Sequence, residues 1–365
     1  MDLRLVSVVI GSVLLAFPTV LVLGQLRSCT NRERCTAISD CPEFAKYVGT
    51  PYATWPESVL SNAKQMYCGS EQRGWTKTHK VCCRTSVQVV DQFAPLAKKG
   101  RDLLNMTECG KQSKTRIAHG KVAEVFEFPW MALLQGFDGS FHCGGSLIAE
   151  RYVLTAAHCN KIRVYSVRLG ETDISQKEDC IRYPDGDEEC SAPPQDIPVE
   201  KFMKNRLHSA SQKKNDIALV RLQWAAQLSD SVRPICLPLP EVSRKTLPKK
   251  MTVSGWGYTE VSKMTSNQLR YASIPIQSLT RCNQTLRRLK TDWSVDQSQI
   301  CAGADDDKAD NCHGDSGGPL QYFGKTGFVI HGIVSYGVST CGTEAEPGIY
   351  TKVSHYMDWI IDNLI

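Results

Sequence analysis

Sixteen cysteines limit what this 365-residue chain can fold into more than any other feature of its sequence. A large, even number of thiols calls for disulfides and for an oxidising compartment. Zinc ligation is the competing use of cysteine, but Cys-x-x-Cys spacings are absent and Cys82 is followed directly by Cys83. Adjacent residues of an extended chain point to opposite faces, so Cys82 and Cys83 should reach different partners and pin two sides of one unit. With Cys29, Cys35, Cys41 and Cys68 they fall in residues 25–84, a segment too short to rely on a large apolar core. Bridges in so small a unit contribute about 2–5 kcal/mol each.

The N-terminus agrees with that compartment. Arg4 precedes a largely apolar run from Leu5 to Leu23, and Gly24-Gln25 offers a cleavage point. Residues 1–24 are expected to be a secretory signal peptide, with Pro18 and Gly24 weighing against an uncleaved membrane anchor. A hydrophobic content of 42% and a charged content of 22% fit a globular protein. The net charge of +5 is mild and no basic-aromatic motif accompanies it, so no nucleic-acid partner is expected.

Residues 85–116 are polar and basic, with Lys98, Lys99, Arg101, Lys111 and Lys114, and interrupted only by a short apolar patch from Phe93 to Leu104. They read as an exposed connector open to proteolysis. Sequons at Asn105-Met106-Thr107 and Asn283-Gln284-Thr285 are expected on the surface.

Reactive chemistry enters at Gly314-Asp315-Ser316-Gly317-Gly318-Pro319. Glycines beside a serine let backbone approach a ligand closely, and a serine hydroxyl attacks only when a base takes its proton. A histidine lies upstream in Leu154-Thr155-Ala156-Ala157-His158-Cys159, and an aspartate in Asn215-Asp216-Ile217-Ala218-Leu219-Val220. The order His158, Asp216, Ser316 is the one used by chymotrypsin-type proteases. Around these motifs the text breaks into short apolar runs, such as 151–155, 217–222, 251–256 and 328–335, separated by Gly, Pro, Asn and Asp. Helical periodicity is absent until Trp359, Ile360 and Leu364 near the C-terminus.

On these motifs residues 117–365 resemble a trypsin-like serine protease domain, and residues 25–84 resemble the clip domain found in front of arthropod serine proteases. The resemblance implies a mainly β protein. Two six-stranded antiparallel β-barrels with the active site between them, and a C-terminal helix, would follow a small disulfide-rich clip domain with a short sheet. It implies the bridges Cys29–Cys82, Cys35–Cys68, Cys41–Cys83, Cys143–Cys159, Cys282–Cys301 and Cys312–Cys341. Cys109, just before the activation point, would bond Cys236. Cys180 and Cys190, which have no partner in the basic trypsin pattern, are paired as a staple of the loop they flank.

Roles follow from the same resemblance. Ser316 is the expected nucleophile, His158 the base, Asp216 its orienting acid, and the backbone N–H groups of Gly314 and Ser316 the oxyanion donors. Asp310 is expected at the floor of a pocket for arginine or lysine, with Gly337 and Gly348 as its walls. Arg116-Ile117 resembles an activation junction: cutting there would free the Ile117 amine to pair with Asp315. Clustered acids at Glu171, Asp173 and Glu188 suggest a structural calcium, while catalysis needs no cofactor. The whole reads as a secreted haemolymph zymogen in an insect cascade of melanisation or Toll signalling. Its partners would be an upstream activating protease, a downstream zymogen or prophenoloxidase, and an inhibiting serpin. The clip domain is either a docking module or a passive stapled spacer. A non-catalytic binding homologue is the alternative, but such proteins usually lack the serine.

Overall fold

The computed structural model describes residues 28–29, 33–41, 44, 47, 55, 57–73, 76–84, 100–104, 108–112, 122–239, 247–257, 266–303, 315–337 and 347–364. The chain divides into two compact units, 1–92 and 93–365. The signal segment, Arg116, Ile117, Asp310, Gly314, Cys312, Cys341 and Asn105 lie outside the described residues. Among those described, no helix is long and apolar enough to cross a membrane.

In the first unit, strands β1 (Glu33–Ala37), β2 (Tyr67–Arg73) and β3 (Thr76–Arg84) form a sheet in the order β1-β3-β2, with helix α1 (Glu57–Gln65) alongside in sequence. Its small core holds Ile38, Phe44, Trp55, Met66 and Val81. Phe44 stacks on Trp55 with ring centroids 6.0 Å apart, and Tyr47 tilts against the same indole at 5.3 Å. Bridges join Cys29 to Cys82, Cys35 to Cys68 and Cys41 to Cys83. The adjacent cysteines of β3 thus tie to separate places because strand neighbours face opposite ways.

The second unit holds two barrels. The first is built from β4 (Met131–Gly136), β5 (Phe141–Ala149), β6 (Tyr152–Thr155) and β7 (Val164–Leu169), continued after a hairpin of β8 (Cys180–Arg182) and β9 (Glu188–Cys190) by β10 (Gln195–Lys204) and β11 (Ala218–Leu222). It closes in the order β10-β11-β6-β5-β4-β7. The second comprises β12 (Lys250–Gly255), β13 (Arg270–Gln277), β14 (Gln299–Ala302), β15 (Pro319–Phe323), β16 (Phe328–Tyr336) and β17 (Gly348–Lys352), closing in the order β12-β13-β14-β17-β16-β15. Closure leaves no unpaired edge in either sheet. Leu134, Leu147, Leu154, Leu169, Ile197 and Leu219 fill the first core; Met251, Val253, Ile274, Ile300, Leu320 and Tyr350 fill the second. Between the barrels, the buried Trp130 Nε1–H donates to Gln321 Oε1 at 2.6 Å.

Two expectations need correction. Helical structure is not confined to the C-terminal helix α3 (Met357–Asn363): α2 also runs over Leu279–Arg288. Its start is fixed by Ser278, whose hydroxyl accepts the Arg281 N–H at 3.2 Å. Only Cys282 and Leu286, one turn apart, are buried on it, too few to show periodicity in the sequence. Nor is the connector exposed throughout. Leu104 and Cys109 are buried, and Cys109 is bridged to Cys236. Gly110 donates to Pro234 O and accepts from Phe328 N–H, both at 2.8 Å, so this stretch is paired like a strand against the protease unit.

Candidate active site

Three turns deliver the catalytic side chains. After β6 the backbone stays extended at Ala156 and then tightens into a 3₁₀ helix, Ala157–Ile162, which carries His158. The Cys143–Cys159 bridge fastens that helix to β5. Asp216 lies just before β11, after a left-handed Asn215 with φ 54°. Ser316 sits in the turn leading into β15. There Gly317 has φ 83°, and a Cβ on it would fall 2.2 Å from Thr155 Oγ1 and 2.4 Å from Gly144 O. Only glycine fits so close an approach of one barrel to the other.

Asp216 is buried and has donors all round it. His158 Nδ1 lies 2.7 Å from Oδ2, and the His158 backbone N–H donates to Oδ1 at 2.9 Å. The hydroxyl of Ser335, on β16, also donates to Oδ2. Thr351 Oγ1–H, on β17, donates to the Asp216 carbonyl at 2.7 Å. Burial pushes the Asp216 carboxyl up, but the hydrogen bonds and charge of His158, with the Ser335 bond, together hold it below its ordinary value. It is therefore an ionised acceptor that fixes one imidazole orientation. His208 Nε2 stands 3.6 Å from Asp216 Oδ1, its own pKa lowered by burial.

The nucleophile turn is tied across the barrels. Ser316 O accepts the Gly144 N–H at 2.8 Å, and Gly317 N–H donates to Val334 O at 2.9 Å. Among the described residues no hydrogen bond joins Ser316 Oγ to His158. Catalytic contacts are often long before substrate binds. Asp315 Oδ1 accepts the Gly257 N–H at 2.7 Å, and a Cβ on Gly257 would fall 2.6 Å from its Cγ. Among the described residues nothing comes within 4 Å of a Cβ placed on Gly337, whereas Gly348 is buried and pairs with Ala302 of β14.

Of the other expected sites, Asn283 is placed differently, while two bridges stand as expected. Asn283 is half-buried rather than on the open surface: its amide donates to Val295 O and accepts the Val295 N–H, both at 2.9 Å. Its place on α2, facing the following loop, accounts for this. Cys180 and Cys190 are bridged at the ends of the β8–β9 hairpin. Cys282–Cys301 ties α2 to β14.

The acids proposed for calcium do not converge. Glu188 pairs with Arg182 at 2.9 Å on the hairpin, and Asp173 accepts from Ser175 N–H at 3.0 Å. Glu171 is instead beside Asp179, a residue the sequence did not single out. Burial, and for Glu171 the Asp179 charge, raise these carboxyls. Arg168 Nη1 already stands 3.3 Å from Glu171, and Asp179 accepts the Thr172 and Asp173 N–H groups. Among the described residues, the groups with close metal-ligand atoms all centre on bridged cysteines. Glu171, Asp173 and Glu188 as placed do not fit a calcium cage.

Ser335, Thr351, His208 and Asp179 were missed by sequence reasoning. Each acts through a partner over a hundred residues away or across a loop, and no short motif marks such contacts.

Comparison with known proteins places this geometry in context. The trypsin family model matches residues 117–360. The chain is 40% identical over 344 residues to phenoloxidase-activating factor 3 of Holotrichia diomphalia, covering 90% of each. It is 34% identical over 371 residues to the Spaetzle-processing enzyme of Drosophila melanogaster, covering 92% of this chain and 91% of that one. A crystal structure of Drosophila Grass, titled a clip serine protease of the Toll pathway, superposes with a TM-score of 0.62 at 32% identity, covering 91% of this chain and 94% of that one.

Proposed function

The chain belongs to the trypsin family and is a clip-domain serine protease, and from that premise we propose that it is a secreted zymogen, activated by a cut after Arg116, that cleaves partner proteins after arginine or lysine. The observation that carries this reading is the buried Asp216 carboxylate, which meets His158 Nδ1 at 2.7 Å while the Ser316 turn is held to Gly144 across the barrels.

In the proposed reaction Ser316 Oγ attacks the scissile carbonyl as His158 takes its proton. The developing oxyanion is met by the N–H groups of Gly314 and Ser316. His158 then hands the proton to the leaving amine, and water repeats the cycle on the acyl-enzyme. Asp216 stays ionised and stabilises the imidazolium. Asp310 is assigned to receive the substrate cation, with Gly337 and Gly348 as the expected walls of its pocket, since a buried anion without a partner is costly. Activation uses the same physics: the freed Ile117 ammonium neutralises Asp315 and orders the adjoining turn. The tight seat of Asp315 against Gly257 supports a site where one new charge would set the backbone.

The relatives' names support a place in an extracellular cascade of melanisation or Toll signalling, with an activating protease before it and a zymogen or prophenoloxidase after it. A serpin would inhibit it. Retention of Ser316, His158 and Asp216 speaks against a purely binding role.

The test uses full-length wild type, Arg116→Gln and Ser316→Ala, each treated with a trypsin-like activating protease. Wild type should gain arginyl-esterase activity as a new N-terminus beginning at Ile117 appears. Neither variant should gain it. Equal activation of Arg116→Gln would sink the switch; activity in Ser316→Ala would sink the nucleophile.

A further inference from the structure

Lys213 is a cation beside the active site that the reaction above does not use. It lies three residues before Asp216 and is held in a left-handed conformation, φ 55°, which a lysine rarely adopts. Its backbone is fixed from the second barrel. Tyr336 Oη–H donates to Lys213 O at 2.8 Å, and Gln299 Nε2–H donates to the same oxygen at 2.9 Å. Gln299 Nε2 also lies 2.7 Å from Tyr336 Oη, closing a three-residue knot.

The knot directs the side chain. Lys213 Nζ stands over the Tyr336 ring, 5.4 Å from its centroid, and Trp293 meets the same ring edge-on at 5.0 Å. Tyr336 ends β16 immediately after Ser335, whose hydroxyl reaches Asp216, and the next residue, Gly337, has no described neighbour within 4 Å of where a Cβ would be. The half-buried ammonium therefore flanks the strand end that borders the catalytic residues.

The neighbouring Lys214 is satisfied by Asp296 at 2.8 Å and by Gln299 Oε1 at 2.6 Å. Lys213 has no ion pair among the described residues. Asp216 and Asp296 are the carboxylates close enough to act on the Tyr336 hydroxyl. Asp216 itself is taken by His158 and Ser335, and Asp296 by Lys214. The aromatic face steadies the cation without discharging it.

We propose that Lys213 is a specificity-determining residue, selecting substrates with an aspartate or glutamate close to the scissile bond, on the part of the peptide that lies along Ser335–Gly337. This rests on the protease reading and sharpens it, from any exposed arginine or lysine to one set in an acidic sequence. An extended peptide laid on that strand end would bring one of its side chains to Tyr336 and so to the ammonium above it.

The experiment uses the activated full chain and arginyl peptides carrying Asp, Asn or Lys at each of the three positions before and two after the arginine. Rates are normalised by titrating Ser316 with an active-site serine reagent. For wild type, kcat/KM at one position should favour Asp over Lys by about tenfold, and the ratio should shrink as salt rises. Lys213→Met should flatten the ratio and Lys213→Glu should invert it. A wild type indifferent to the charge at all positions overturns the inference, as does a Lys213→Glu enzyme that keeps the wild-type ratio. Since the first of these needs no variant, a misfolded mutant does not protect the idea. Failure to cut any arginyl peptide, with no titratable serine, would instead bring down the protease reading and this inference with it.

Discussion

Asp216, at the mouth of the first barrel, accepts a hydrogen bond from Ser335, on a strand of the second. The acid that orients the catalytic histidine is therefore held by both halves of the cleft at once. Removing this donor leaves the carboxylate with one fewer partner and a higher pKa. Hydrogen bonds to charged groups contribute roughly 1.5–3 kcal/mol.

Ser335→Ala should accordingly lower kcat by about tenfold or more while leaving KM for a small arginyl ester nearly unchanged. The acid limb of the pH–rate profile should move as His158 loses part of its anionic support. An unchanged kcat and profile would reduce Ser335 to a packing residue.

Gly317→Ala tests the close approach of the barrels. At φ 83° an alanine is strained, and its methyl would meet Gly144 O and Thr155 Oγ1. The variant should lose more than about 1 kcal/mol of stability in urea unfolding and nearly all titratable serine. Wild-type unfolding with full activity would mean that the turn has another low-energy arrangement.

His331, buried within β16, provides a pH prediction. Burial, aided by the Lys352 charge, pulls its pKa from 6.5 down to about 4. The folded protein thus binds fewer protons here than the unfolded chain between those values, so this stability is present above pH 6.5 and is lost as pH falls toward 4. Melting temperatures across that range should drop for wild type and drop less for His331→Gln. Parallel slopes would assign the acid sensitivity to other groups.

The Cys109–Cys236 bridge joins the segment before the activation point to the protease unit. After cleavage at Arg116 the two pieces should migrate together without reductant and separate with it. Cys109→Ser with Cys236→Ser should release the N-terminal piece under both conditions. Separation of the wild-type pieces without reductant would contradict the bridge.

Much of this was legible in the sequence because it is written locally. The glycines around Ser316, the cysteine after His158 and the hydrophobic run after Asp216 each satisfy a need within a few residues. Adjacent Cys82 and Cys83 announced opposite bridges for the same reason: strand geometry fixes where neighbours point. The four apolar runs singled out, 151–155, 217–222, 251–256 and 328–335, fall on β6, β11, β12 and β16 to within a residue. Helix α2 escaped because two buried positions make no period. The Cys109–Cys236 bridge was expected, but the backbone pairing of Gly110 beside it escaped because its partners, Pro234 and Phe328, lie over a hundred residues on.

By itself, then, the sequence determined a cysteine set suited to disulfides, four of the barrel strands and the types of group available for chemistry. Tertiary structure alone decided which hydroxyls hold Asp216, that Asp179 rather than Glu188 stands beside Glu171, and that Lys213 lies over Tyr336. Those are contacts between distant strands, set by barrel closure and side-chain packing, and no linear pattern encodes a meeting that exists only once both partners have folded.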